Sequence, residues 1–260
     1  MKRIATLVLS ALAIFAAYTT TAQGKSFMLI SRGNNLPANL DAAVSSAGGK
    51  VTQLLPQIGI AVVESSADGF SAAVASTLGV SVVPDVAWET SLPMQVGDVE
   101  VADVEAQPDS HTVIPTDSFY GVQWGLKAIA APAAWAAGQQ GAGVRVAVLD
   151  SGITSNHVDI APRLNTVLST SFVPGEAYNA VGTGFNHGTH VSGIIAAPAN
   201  HVGTVGVAPL AELVAVKVLR SSTGSGAFSW IIAGMVYAAD IGSDVINMSL
   251  GAQLPRHGFL

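Results

Sequence analysis

Val146-Ala147-Val148-Leu149-Asp150-Ser151-Gly152 is an apolar run that ends in a carboxylate and two small residues. From Val144 to Asp150 only Arg145 interrupts it, so it is apolar on both faces, which is how a strand inside a covered parallel sheet reads. Downstream, Asn186-His187-Gly188-Thr189-His190-Val191-Ser192-Gly193 opens a helix of small residues predicted over 187–197. Leu213 to Leu219 reads as the next strand, Gly224-Ser225-Gly226 as a loop, Phe228 to Asp240 as a long apolar helix and Asp244 to Leu250 as a further strand. A short helix from Pro132 to Ala137 precedes the set. This alternation predicts the α/β class with a parallel sheet over residues 117–260. Functional groups then belong at the carboxyl ends of the strands. Asp150, the Gly224 loop and Ser249-Leu250-Gly251 all fall there.

The chain upstream has a different grammar. Lys2 and Arg3 precede the apolar run Ile4–Ala17 and the small residues Thr20-Thr21-Ala22, which predicts a signal peptide over residues 1–22 and secretion. The run is too short, and too interrupted by Thr6 and Ser10, for a membrane anchor. Residues 23–90 read as a ferredoxin-like βαββαβ unit of α+β class. Strands are expected over Ser26–Ser31, Val51–Leu55, Ile58–Val63 and Val80–Val83. One helix carries Leu40, Val44 and Ala47 on a face; the other carries Phe70, Val74 and Leu78. Residues 91–116 hold Asp98, Glu100, Asp103, Glu105 and Asp109 without a Lys or Arg, together with Pro93, Pro108 and Pro115. Such a run reads as an acidic, extended linker open to cleavage.

Composition narrows the chemistry. Of the 260 residues, 50% are hydrophobic and 11% charged, so the chain can bury a large core. The net charge of −6 and the lack of a basic patch argue against nucleic acid. With no cysteine there are neither disulfides nor thiolate zinc sites. In the α/β half an aspartate ends a strand and a histidine opens a helix, two thirds of a nucleophilic triad. A serine hydroxyl is a poor nucleophile until a base takes its proton. His187 would be that base, with Asp150 fixing its tautomer. The five residues Asp150, His157, Asp159, His187 and His190 could alternatively be read as metallohydrolase ligands.

Four segments carry a family resemblance: Val146–Ile153, His187–Gly193, Gly206-Val207-Ala208-Pro209 and Asp244–Gly251, with Gln123-Trp124-Gly125-Leu126 similar to a mature N-terminus. Together they resemble the subtilisin-like serine proteases (subtilases). The resemblance implies that Asp150 and His187 are catalytic and that polypeptide substrates lie as a strand between Gly224-Ser225-Gly226 and Ser249-Leu250-Gly251, with Phe228 lining a pocket. It implies that residues 23–90 are a propeptide, a folding template and intramolecular inhibitor. A structural calcium ion is also implied, held by Asp159 and Asn200 and by the carbonyls of Pro198, Val202 and Thr204, with Asp117 as a lesser candidate. The family's nucleophile lies in a Gly-Thr-Ser segment, which these 260 residues do not contain. The expectation is therefore the N-terminal part of a peptidase domain, truncated before its nucleophile, inactive alone and exposing an apolar sheet edge. A non-catalytic secreted inhibitor module is the alternative.

Overall fold

The computed structural model describes residues 24–88, 115–182 and 186–251. The expected signal peptide and nearly all of the acidic linker lie outside these residues.

The first unit runs β1 (Lys25–Ile30), α1 (Leu40–Ser46), β2 (Gly49–Leu55), β3 (Ile60–Ser65), α2 (Phe70–Leu78) and β4 (Ser81–Pro84). Its sheet has the order β2-β3-β1-β4, with every neighbour antiparallel. Leu29, Ala61 and Val63 of the sheet meet Leu40, Val44, Phe70 and Val74 of the two helices in one core. The i, i+4 spacing read from the sequence is thus the buried face of both helices. Gly79, in the left-handed region at φ 66, caps α2 by donating its N–H to Ala75 O at 2.9 Å. One boundary moves. Pro56 starts a 3-10 turn over Pro56–Ile58, and Gly59 at φ 64 closes it, so β3 begins at Ile60 rather than at Ile58.

Within residues 23–90 the sequence predicts no strand after Val80–Val83, whereas the chain continues into β5 (Ala87–Trp88). A two-residue strand leaves no periodicity to read. Its partner is β9 (Gly226–Ala227), far along the chain, and the pairing is antiparallel.

The second unit is built on β6 (Arg145–Asp150), β7 (Thr170–Ser171), β8 (Glu212–Lys217) and β10 (Val245–Asn247), all parallel in the order β10-β6-β8-β7. Alternate residues of each strand go to opposite faces. Val146, Val148, Leu213 and Ala215 pack toward α5 (His187–Ala196), while Ala147, Leu149, Val214 and Val216 pack toward α6 (Phe228–Asp240). The doubly covered sheet expected from the apolar strands is present. β10 is shorter than the Asp244–Leu250 run, and β7 lies between Gly152 and Asn186, where the sequence predicts no element. Before β6 come α3 (Trp124–Ala128), which the sequence did not announce, and α4 (Ala131–Ala136). They gather Tyr120, Leu126 and Trp135 against Val205. No described helix is long and apolar enough to cross a membrane.

Candidate active site

Asp150 ends β6 with a side chain only 1% exposed. His187 begins α5, and its Nδ1 lies 2.9 Å from both carboxylate oxygens of Asp150. A carboxylate can only accept, so Nδ1–H is the donor, and in the neutral form of the ring that leaves the lone pair on Nε2. Among the described residues the His187 ring hydrogen-bonds to Asp150 alone. The pair is held from several sides. Ser151 N–H donates to Asp150 Oδ1 at 2.6 Å, and Ser151 Oγ accepts from Gly188 N–H at 3.2 Å, using one of the donors a helix start leaves unpaired. Thr189 Oγ1 donates to Asn186 Oδ1 at 2.7 Å and accepts from Thr154 N–H at 2.8 Å, tying the start of α5 to the loop after β6. A Cβ on Gly188 would run into Gly152 O and lie 3.1 Å from Asp150 Oδ1. Only glycine lets the helix come this close.

The expected substrate segments flank this pair. Gly224, Ser225 and Gly226 follow β8, but the edge that forms a ladder is Gly226–Ala227, displaced toward α6 from the expected stretch. A Cβ on Gly226 would collide with Val218 O, which accounts for that glycine. β5 occupies this edge. Asp85, just before β5, accepts Ser229 N–H through Oδ1 at 3.0 Å and Ser229 Oγ–H through Oδ2 at 2.6 Å, so it caps α6 from another part of the chain. Phe228 opens α6 directly after β9. Ser249, Leu250 and Gly251 follow β10, on the other side of β6.

The residues expected around calcium fall into two linked groups, Asp159 with Thr204 and Asn200 with Asp117 and Val202. Asp159 is 5% exposed; its Oδ2 accepts Thr204 N–H at 3.0 Å, while Oδ1 is buried without a partner among the described residues. Asn200 Oδ1 accepts from Val202 N–H at 3.0 Å, and Asp117 Oδ1 accepts from Asn200 N–H at 2.9 Å. Gly203, at φ 66, leaves no room for a Cβ beside the Asp159 carboxylate. The carbonyls of Ala197, Gly203 and Val205 accept hydrogen bonds, whereas those of Pro198, Val202 and Thr204 accept none among the described residues. An orphaned carboxylate oxygen, an amide oxygen and free carbonyls fit a hard cation.

The metallohydrolase reading finds no support in the described residues. Among the described residues no three His, Cys, Asp or Glu side chains gather closely enough to hold a metal. His190 is exposed, and His157 Nδ1 accepts Asp159 N–H at 3.1 Å.

Two further residues escaped the sequence reading. Lys217, the last residue of β8, is wholly buried and pairs with Glu176 Oε2 at 3.2 Å. Burial pushes the Lys217 ammonium below its ordinary pKa, and Glu176 partly restores it. Burial pushes the Glu176 carboxyl up, but hydrogen bonds from Ser221 and Lys217 outweigh that and hold it below the usual value. A lone cation inside the otherwise apolar run Leu213–Leu219 was the available signal.

Residues 141–258 match the profile of the Subtilase family, Peptidase_S8. They belong to the subtilase family. Subtilisin E of Bacillus subtilis (strain 168) is 53% identical over 130 residues, covering 50% of this chain and 32% of that protein. Subtilisin Savinase of Lederbergia lenta is 50% identical over 134 residues, covering 52% of this chain and 47% of the relative. The chain thus spans a third to a half of the length of these subtilisins. Among solved structures, fervidolysin from Fervidobacterium pennivorans, a keratinolytic enzyme related to subtilisin, superposes with a TM-score of 0.70 at 24% identity, over 89% of this chain and 36% of that one. The fold is subtilisin-like.

Proposed function

We propose that residues 117–251 supply the acid–base half of a secreted serine endopeptidase of the subtilisin type, acting on polypeptides. The observation that carries this is the Asp150–His187 contact of 2.9 Å at the carboxyl end of β6. Asp150 holds the Nδ1–H tautomer and stabilises the imidazolium that forms. Nε2 takes the proton of a serine hydroxyl as it attacks the scissile carbonyl, then returns it to the leaving amine. Substrate backbone adds to the Gly226–Ala227 edge on one side and to Ser249-Leu250-Gly251 on the other, with Phe228 beside the first.

In this reading residues 23–90 are a propeptide that inhibits in cis, following a signal peptide at 1–22 and followed by a cleavable linker at 91–116. The pairing of β5 with β9 supports it, because β5 sits on the edge a substrate would use. The same pairing is what keeps the second reading, an inhibitor module, in view. Calcium would be held by Asp159, Asn200 and the carbonyls of Pro198, Val202 and Thr204, with Asp117 bracing the loop. It would clamp this loop and has no part in the proton transfers.

A chimera tests the catalytic reading. Residues 141–251 replace the matching segment of Subtilisin E, which supplies a nucleophile. The chimera is expected to cleave a peptide substrate, and His187→Ala to lower its kcat/KM by at least about a hundredfold. A folded chimera without activity, or one indifferent to His187→Ala, refutes it.

A further inference from the structure

Behind the aspartate turn lies a cation that the proton-transfer steps leave unused. Lys217 stands in register with Asp150 on the neighbouring strand, on the sheet face that carries α5. Its Nζ donates to Ser151 O in the turn and to Ser221 Oγ at 2.9 Å, and pairs with Glu176. Glu176 in turn accepts Ser221 N–H at 2.9 Å and has Arg220 Nη1 at 3.7 Å. Ser221 Oγ has one proton and two acceptors in reach, Glu176 Oε2 at 2.8 Å and Ala180 O at 2.6 Å. Arg220 also lies over the Trp230 ring, 5.0 Å from its centroid.

An ion pair with a buried partner such as Lys217 is a poor stabiliser, because desolvation offsets the attraction and an apolar residue of like volume commonly does as well. What an ammonium does provide is three directed donors. Here they reach three separate segments: the 150–152 turn, the 172–182 loop through Glu176, and the 219–225 loop through Ser221. The backbone repeats the connection. Asp150 O accepts from Val218 N–H at 2.9 Å and Leu219 N–H at 3.2 Å, and Tyr178 O accepts from Ile153 N–H at 3.1 Å. Arg220 N–H to Ser225 O at 2.8 Å then closes the loop that delivers Gly226.

We propose that Lys217 and Glu176 are positioning residues, one buried joint that sets both the Asp150 turn and the Gly226–Ala227 edge, so that the proton-transfer pair and the strand-binding edge keep a fixed relation. The inference rests on reading Asp150 and His187 as the acid–base pair and β9 as the substrate edge.

The test uses the full chain, isotope-labelled, with two readouts: the far-downfield proton of His187 Nδ1–H, which reports the bond to Asp150, and amide exchange across residues 219–227. In Lys217→Met and Glu176→Gln the downfield proton is expected to move or broaden. Exchange at Gly226 and Ala227 should rise about tenfold or more, as loss of a charge-assisted bond implies. Amides of β1 and β3 should stay unchanged. Ser221→Ala keeps the ion pair and is expected to raise exchange in the loop alone, leaving the downfield proton in place. A lower Tm in Lys217→Met and Glu176→Gln with both readouts unmoved overturns the joint and leaves an ordinary buried pair. If Lys217→Met does not fold, Ser221→Ala decides, and unchanged loop exchange there overturns it. A wild-type chain lacking the downfield proton overturns the acid–base reading instead, and the joint then stands or falls on exchange alone.

Discussion

At the scale of single residues, the strongest local demand is made by orphaned polar atoms. Among the described residues Asp159 Oδ1 is buried without a hydrogen-bond partner, its other oxygen bonded to Thr204 of a loop where the carbonyls of Pro198, Val202 and Thr204 accept none. Leaving a buried carboxylate oxygen unpaired costs about 1–3 kcal/mol or more, which a cation would remove. Calcium is expected to raise the Tm of the wild-type chain in a dose-dependent way, by about 2.7 kcal/mol of stability at a hundredfold excess over Kd. In Asp159→Asn the response to calcium should be lost, because the amide presents one fewer acceptor and no charge. A calorimetric scan with and without calcium checks both, and a wild-type Tm indifferent to the ion removes the site.

At the scale of elements, α6 is the instructive case. Its bounds, Phe228–Asp240, are those read from the sequence, yet no side chain of its own caps the start. Asp85 does so from the end of the first unit, also accepting from Ser26 Oγ–H at 3.1 Å. A carboxylate at a helix N-terminus meets both the unpaired N–H groups and the positive end of the dipole, and losing such a cap costs about 0.5–2 kcal/mol. Asp85→Ala is expected to loosen the β5–β9 pairing, seen as several-fold faster amide exchange at Ala87 and Ala227. Gln57→Ala, which removes only the exposed bond to Asp240 at 2.9 Å, should change it little. Equal effects from the two variants would mean that the cap does not hold the units together.

Across the whole molecule, acid tolerance is set where carboxylates are held ionised. Glu176 and Glu212 both titrate below the ordinary value of 4.5, Glu212 because Arg145 and then Asn165 hydrogen-bond it. For such groups the folded form binds protons less readily than the unfolded one. Their stabilisation is therefore complete above pH 4.5 and lost as pH falls through the lower folded-state values. Unfolding followed from pH 7 to pH 3 should show a flat upper region and a fall beginning below about pH 5. Glu176→Gln should make that fall shallower, with a lower plateau because Lys217 is left buried beside a neutral amide. A fall equally steep in the variant would place the acid sensitivity elsewhere.

Much of this was legible from residue order because it depends on local periodicity. Apolar strands ending in Asp150, a small-residue helix opened by His187, and i, i+4 stripes at Leu40/Val44 and Phe70/Val74 each state which face must be buried. The candidate pair followed from the resemblance of the Asp150 and His187 segments to the subtilases, and the strand-end rule agreed for Asp150. What residue order could not state is which distant groups meet. β5 has two residues and exists only because β9 offers an edge; Asp85 is a cap only because the start of α6 is there. Lys217, a misfit in its own strand, becomes intelligible once Glu176 and Ser221 arrive from other loops. Sequence determined the longer elements, through the match of side-chain period to backbone geometry, and the two candidate residues, through the segments that resemble the subtilases. Tertiary structure alone decided the pairing of charges and edges, because those energies depend on distance in space and not on separation along the chain.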